Sequence, residues 1–224
     1  MKKKKFVIAI DGPAGAGKST IAKIVARHLG YVYIDTGAMY RAVTLKALRE
    51  KIGLDDEKAL TSLAKNTDIV LRSASGGLKV ILDRRDVSKD IRKENVTRHT
   101  NTVAAIYGVR KVLRNMQRNM GRYGGIVMEG RDIGTCVFQD AEFKFYLDAT
   151  PRERARRRYK ELLLKNQRVS LNQIARAIAR RDEMDRTRGI NPLKQAADAV
   201  RIDSTNMTLT EVADFILKKI EKSA

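Results

Sequence analysis

Residues Gly12-Pro13-Ala14-Gly15-Ala16-Gly17-Lys18-Ser19 fit the pattern G-x-x-x-x-G-K-[ST] without a gap. Glycines at this spacing let backbone N–H groups close around phosphate oxygens with no Cβ in the way. A helix starting near Gly17 points the positive end of its dipole at the same anion. Lys18 is then placed to reach the β- and γ-phosphates, and Ser19 to offer its hydroxyl to Mg²⁺. Positions Gly12 through Thr20 are therefore expected to hold the phosphates of a nucleoside triphosphate such as ATP. The motif alone does not say what becomes of that nucleotide.

Four further constellations carry chemistry. Asp35-Thr36-Gly37-Ala38-Met39-Tyr40-Arg41 follows an apolar run, Val32–Ile34, and Thr36 with Arg41 could bind a second anion. An ordinary strand–helix turn with an exposed arginine is the plainer reading. Glu129-Gly130-Arg131-Asp132 follows Ile126–Met128, and Glu129 stands where a carboxylate linked to a metal is often found. The plainer reading there is a loop salt bridge. Arg181, Asp185 and Arg188 stand at i, i+4 and i+7, on one face of a helix. They could ion-pair along the surface or face a nucleotide. Arg152, Arg154, Arg156, Arg157 and Arg158 form a basic burst, either a solvated face or a lid carrying arginines to a transferring phosphoryl group. His28 and His99 have no partners at ligand spacing.

The elements that must position these residues alternate between short apolar strands and helices. Phe6–Ile10, Val32–Ile34, Ile126–Met128, Phe143–Leu147 and Ala199–Ile202 read as core strands of a parallel sheet, an α/β fold. Thr20 to Leu29 has helical period. Ser170 with Gln173, and Thr208 with Glu211, mark helix starts by capping boxes. Ile69–Arg72 and Leu78–Leu82 read as a hairpin around Ser73 to Gly77, with Arg85 to Ser88 as a third strand. An antiparallel sheet has no place inside a parallel one, so this segment is expected to be an insertion.

The composition narrows the function classes. The chain has 224 residues, of which 43% are hydrophobic, enough for one domain with a proper core. Its one cysteine, Cys136, excludes an intrachain disulfide framework and suits a reducing, cytoplasmic setting; a core position is expected for it. No apolar run approaches the length of a membrane span. The Lys2–Lys5 run precedes too short an apolar stretch for a signal peptide. With 46 Lys and Arg against 26 Asp and Glu, the net charge is +20. That permits nucleic-acid binding or a site for highly anionic small molecules. Aromatics make up 5% and the basic residues are dispersed, which favours the small-molecule reading and no specific nucleic-acid partner.

Taken together, these segments resemble the bacterial cytidylate kinases, a family of nucleoside monophosphate kinases. The match is carried by Ile10 through Thr20, Asp35 to Arg41, Gly130-Arg131-Asp132-Ile133-Gly134-Thr135, Arg181-Asp182 with Asp185 and Arg188, and Asp203-Ser204-Thr205. The resemblance implies a P-loop fold with a central parallel sheet flanked by helices, a small antiparallel acceptor-binding insertion at about 36–106 and a helical lid at about 152–188. It implies transfer of the γ-phosphoryl group of ATP, with Mg²⁺, to CMP or dCMP. Lys18, Arg131 and Arg157 would act in transfer. Thr36, Arg41 and Arg131 would hold the acceptor phosphate, with Tyr40 beside them. Arg181 and Asp185 would contact the ribose, and Arg110, Asp132 and Arg188 the cytosine. Asn101 stands where members of the family carry a serine beside the base. A cytoplasmic monomer without membrane association is expected. A P-loop kinase for another small acceptor, such as UMP or shikimate, and a basic P-loop protein that binds RNA and uses ATP as a switch are the alternatives.

Overall fold

The computed structural model describes residues 5–74, 77–164 and 169–222. Residues 75–76 of the expected hairpin turn, 165–168 of the expected lid and Lys2 to Lys4 of the basic run lie outside them. In chain order the elements are β1 (Val7–Asp11), α1 (Lys18–Leu29), β2 (Val32–Asp35), α2 (Thr36–Arg49), α3 (Glu57–Lys65), β3 (Ile69–Ala74), β4 (Gly77–Leu82), β5 (Arg85–Asp86), α4 (Glu94–Ala105), α5 (Tyr107–Gly121), β6 (Ile126–Gly130), β7 (Phe143–Asp148), α6 (Pro151–Leu163), α7 (Leu171–Thr187), β8 (Val200–Asp203) and α8 (Leu209–Glu221). They form two compact units. One holds the residues up to Tyr31 and from Gly125 onward, the other Val32–Gly124.

In the first unit β6, β1, β7 and β8 lie side by side, every pair parallel. Parallel strands covered on both faces read as unbroken apolar runs, and Ile8, Ala9, Ile10, Val127, Met128 and Leu147 are fully buried. The register sets Asp11 opposite Gly130 and Tyr146, and Asp148 opposite Asp203, so the carboxyl ends of the four strands share one edge. Ligands in such sheets bind beyond that edge. Helix α1 packs against β6 and α8. Ala155 of α6 meets Ile174 and Ile178 of α7 in a smaller cluster. Both expected capping boxes are present, Ser170 with Gln173 on α7 and Thr208 with Glu211 on α8.

The second unit contains β2, helices α2 to α5 and the antiparallel sheet β3-β4-β5. Val70 pairs with Ile81 and Leu71 with Val80, the expected hairpin. Its third strand is shorter than expected, ending at Asp86. Met39, Val43, Leu60, Val80, Ile91, Val103 and Leu113 share one core with the helices. Among the described residues no helix is long and apolar enough to cross a membrane. Cys136 is buried, as expected of a core residue.

Candidate functional site

The phosphate loop runs from the end of β1 into α1. Gly12 has φ of 147°, and a Cβ there would lie 2.0 Å from the Leu147 carbonyl oxygen of the neighbouring strand. Only glycine lets the chain leave β1 this close to β7. Gly17 caps α1 in the left-handed conformation, with no side-chain cap and no acid in the first turn. The helix start therefore faces its ligand with backbone N–H groups alone. Lys18 is 6% exposed and donates from Nζ to the Pro13 carbonyl at 2.7 Å. Ser19 and Thr20 are exposed on the first turn.

The charges beyond this loop crowd one another. Burial, then Arg131, push the Lys18 ammonium from 10.5 down to about 7, with Glu129 opposing them. Arg181 adds to the push and Asp185 opposes it. A cation held so reluctantly is one that a bound polyanion would relieve. Arg131 donates from Nε to Asp185 Oδ2 at 2.8 Å. Against the burial that would raise it, Arg131 holds the Asp185 carboxyl below its usual range. Arg188 stands 3.7 Å from Asp132 and 3.9 Å from Asp185. So the first unit brings together Lys18, Arg131 with Asp132, and Arg181, Asp185 and Arg188, from three separate stretches of sequence. Glu129, next to last in β6, is 5% exposed and close enough to weigh on Lys18.

The basic burst on α6 divides by depth. Arg158 is exposed and pairs with Glu161. Arg157 reaches the loop: it donates to Ser204 Oγ at 3.0 Å and lies 3.5 Å from the Ala16 carbonyl. Arg154 is 1% exposed, so it belongs to no solvated face. It donates to the carbonyls of Ala149 and Ala14 at 2.9 and 3.0 Å and pairs with Asp182 at 2.6 Å. It thus ties the phosphate loop to α6 and α7.

The second unit holds its own cluster. Asp35 caps α2 by accepting from the Ala38 N–H at 2.9 Å and pairs with Arg41 at 3.0 Å. The Arg41 Nε is buried and, among the described residues, has no hydrogen-bond partner. Thr36 opens α2 and is 4% exposed. The Arg110 guanidinium lies 5.5 Å from the centre of the Tyr40 ring and donates to the Ala104 carbonyl at 2.9 Å. Asn101 is half-buried on α4.

Sequence reasoning gave no role to Asp11 or Asp182, and for Arg154 it offered a solvated face or a lid, not the buried tie observed. The partners of Asp11 are 122 and 123 residues away, and no spacing rule reaches that far. Asp182 sat in a recognised motif without a chemical task. His28 is exposed, and the His99 Nδ1 lies 2.9 Å from the Asn95 carbonyl, a local contact.

The sequence profile of the family described as cytidylate kinase matches residues 8–222. The chain belongs to the cytidylate kinase family. Its curated relatives cover nearly the whole chain. It is 54% identical over 215 residues to a cytidylate kinase of Desulforamulus reducens, covering 96% of each chain. It is 49% identical over 220 residues to one of Pediococcus pentosaceus, covering 98% of this chain and 97% of that one. To one of Bacillus subtilis it is 47% identical over 221 residues, 99% of each. Among solved structures, a shikimate kinase from Bacteroides thetaiotaomicron is similar at a TM-score of 0.49 and 16% identity, over 96% of this chain and 98% of that one.

Proposed function

We propose that this chain transfers the γ-phosphoryl group of ATP to CMP or dCMP, giving ADP and CDP or dCDP. The observation that carries the reading is a family match over residues 8–222, which contains both the phosphate loop and the charge cluster around Arg131 and Asp185. The acceptor is a phosphate whose oxygens are largely ionised at neutral pH, so no side chain has to remove a proton. The barrier lies in bringing anions together. Lys18 neutralises the β- and γ-phosphates, Arg131 the acceptor phosphate, and Arg157 supports the transferring group from α6. Thr36, Tyr40 and Arg41 hold the acceptor phosphate, and the unused Nε of Arg41 is a donor for it. Arg181 and Asp185 take the ribose. Arg110, Asp132, Arg188 and Asn101 take the cytosine. The insertion of about 36–106 is the acceptor lobe, and about 152–188 closes over ATP to keep water out.

The exposed hydroxyl of Ser19 suits Mg²⁺ that arrives with the nucleotide, since such an ion takes most of its oxygens from phosphates and water. When bound, the ion supplies charge neutralisation at the phosphate oxygens. A cytoplasmic monomer completes the reading. A coupled assay of ADP release across the common nucleoside monophosphates and shikimate tests it. CMP and dCMP are expected to give the highest kcat/KM, and a preference for any other acceptor refutes it.

A further inference from the structure

Asp11 is a buried carboxylate to which the proposed transfer gives no task. It closes β1, immediately before the phosphate loop, and is 5% exposed. Oδ1 accepts from the Ile133 N–H at 2.9 Å and Oδ2 from the Gly134 N–H at 2.8 Å. Those two groups open the π-helical turn Ile133–Val137. The first N–H groups of any helical turn lack an acceptor within it. The usual acceptor is the residue just before, and aspartate is among the best because its side chain folds back. Here that residue is Asp132, and its side chain makes no cap hydrogen bond. Its carbonyl accepts from Cys136 and Val137 at 2.9 and 3.2 Å, while its carboxylate stands 3.7 Å from Arg188. Asp11 does from another strand what Asp132 would otherwise do for its own turn. At Gly134 the tighter neighbour is Lys144 rather than Asp11. A Cβ there would lie 3.5 Å from Asp11 Oδ2 and 3.2 Å from the Lys144 side chain.

We propose that Asp11 is a positioning residue for base recognition: by capping the Ile133–Val137 turn from β1, it keeps the Asp132 carboxylate on Arg188 and available to the acceptor base. The inference rests on the reading of Asp132 as a cytosine-contacting residue. Burial pushes the Asp11 carboxyl up to about 6, with the two backbone donors pulling the other way. A residue that only filled space would be apolar and would carry no such cost.

The test compares wild type, Asp11→Asn, Asp132→Asn and the double variant by kcat/KM for CMP and UMP, KM for ATP, and backbone amide NMR. Asparagine at position 11 offers one acceptor and turns an NH₂ on the other N–H. Asp132 then swings to cap its own turn. Asp132→Asn is expected to lower the CMP-to-UMP ratio at least about tenfold. Asp11→Asn should lower it at least about fivefold with KM for ATP within about twofold of wild type, and the double variant should be no worse than Asp132→Asn. If Asp132→Asn leaves the ratio unchanged, the reading of Asp132 fails and takes the inference with it. If Asp132→Asn lowers the ratio but Asp11→Asn leaves it alone, or weakens CMP, UMP and ATP together, the inference alone is overturned. Should Asp11→Asn not fold, the amides still decide. Those of Ile133 and Gly134 must exchange slowly in wild type and stay protected in Asp132→Asn; loss of protection there means that Asp132 is the cap, which overturns the inference.

Discussion

Replacing Arg154 by methionine should cost more stability than any surface change in the basic burst. The side chain is 1% exposed and that of Asp182 6%, with 2.6 Å between them. Removing one partner of a buried pair costs about 3–5 kcal/mol, because the other charge stays buried without compensation. Asp182 is poorly placed to absorb that, since its Oδ1 is already buried and, among the described residues, has no hydrogen-bond partner. The Ala14 and Ala149 carbonyls lose a donor as well. Against a total stability of about 5–15 kcal/mol, Arg154→Met should be marginal. Arg154→Met with Asp182→Leu removes the stranded charge and should recover at least about 2 kcal/mol of that loss. Urea unfolding of the four proteins measures the cycle. The recovered protein should also bind ATP more weakly, because Arg154 holds the phosphate loop at the Ala14 carbonyl. A double variant no more stable than Arg154→Met would refute the ion-pair argument. One that binds ATP as wild type does would refute the tie to the loop.

Lys18→Met should lower kcat at least about a hundredfold, since it removes a donor aimed at developing charge, and should raise the melting temperature of the nucleotide-free protein, since it also removes a buried ammonium crowded by Arg131. A variant with more than about a tenth of wild-type kcat, or one that melts lower, contradicts this. Single-stranded RNA should bind no tighter than about micromolar Kd at physiological salt and without sequence preference; fluorescence anisotropy with several sequences checks this, and tight selective binding would favour the RNA-switch reading.

Much of the architecture was legible because it is written in local signals. The strands of the parallel sheet announce themselves as short apolar runs, and β1 and β6 differ from the expected spans only at their ends. Those ends are informative. Asp11 and Gly130 continue the ladder past the last apolar residue, and hydrophobicity does not report backbone pairing. Helix α1 begins at Lys18, two residues before the apolar period, because Gly17 supplies a backbone cap that no capping-box rule looks for. The boxes at Ser170 and Thr208 lie within four residues of sequence and were found at once.

The site was legible in proportion to how local its contacts are. A loop such as Gly12 to Ser19 carries its purpose in one stretch of chain. The pairing of Arg131 with Asp185 spans 54 residues, whereas α7 spacing shows only helical neighbours such as Arg188, which does stand 3.9 Å from Asp185. The helical face holding Arg154, Arg157 and Arg158 shows the same limit. Spacing puts the three together, yet Arg154 is buried on Asp182, Arg157 reaches Ser204 and Arg158 is exposed with Glu161. What separates them is where α7 and the Asp203-Ser204-Thr205 turn come to rest. Charge pattern along one helix cannot contain that, because burial is a property of the elements packed against it. A charged residue in such a burst becomes structural when a carboxylate and backbone carbonyls are already waiting for it, as Asp182, Ala14 and Ala149 wait for Arg154.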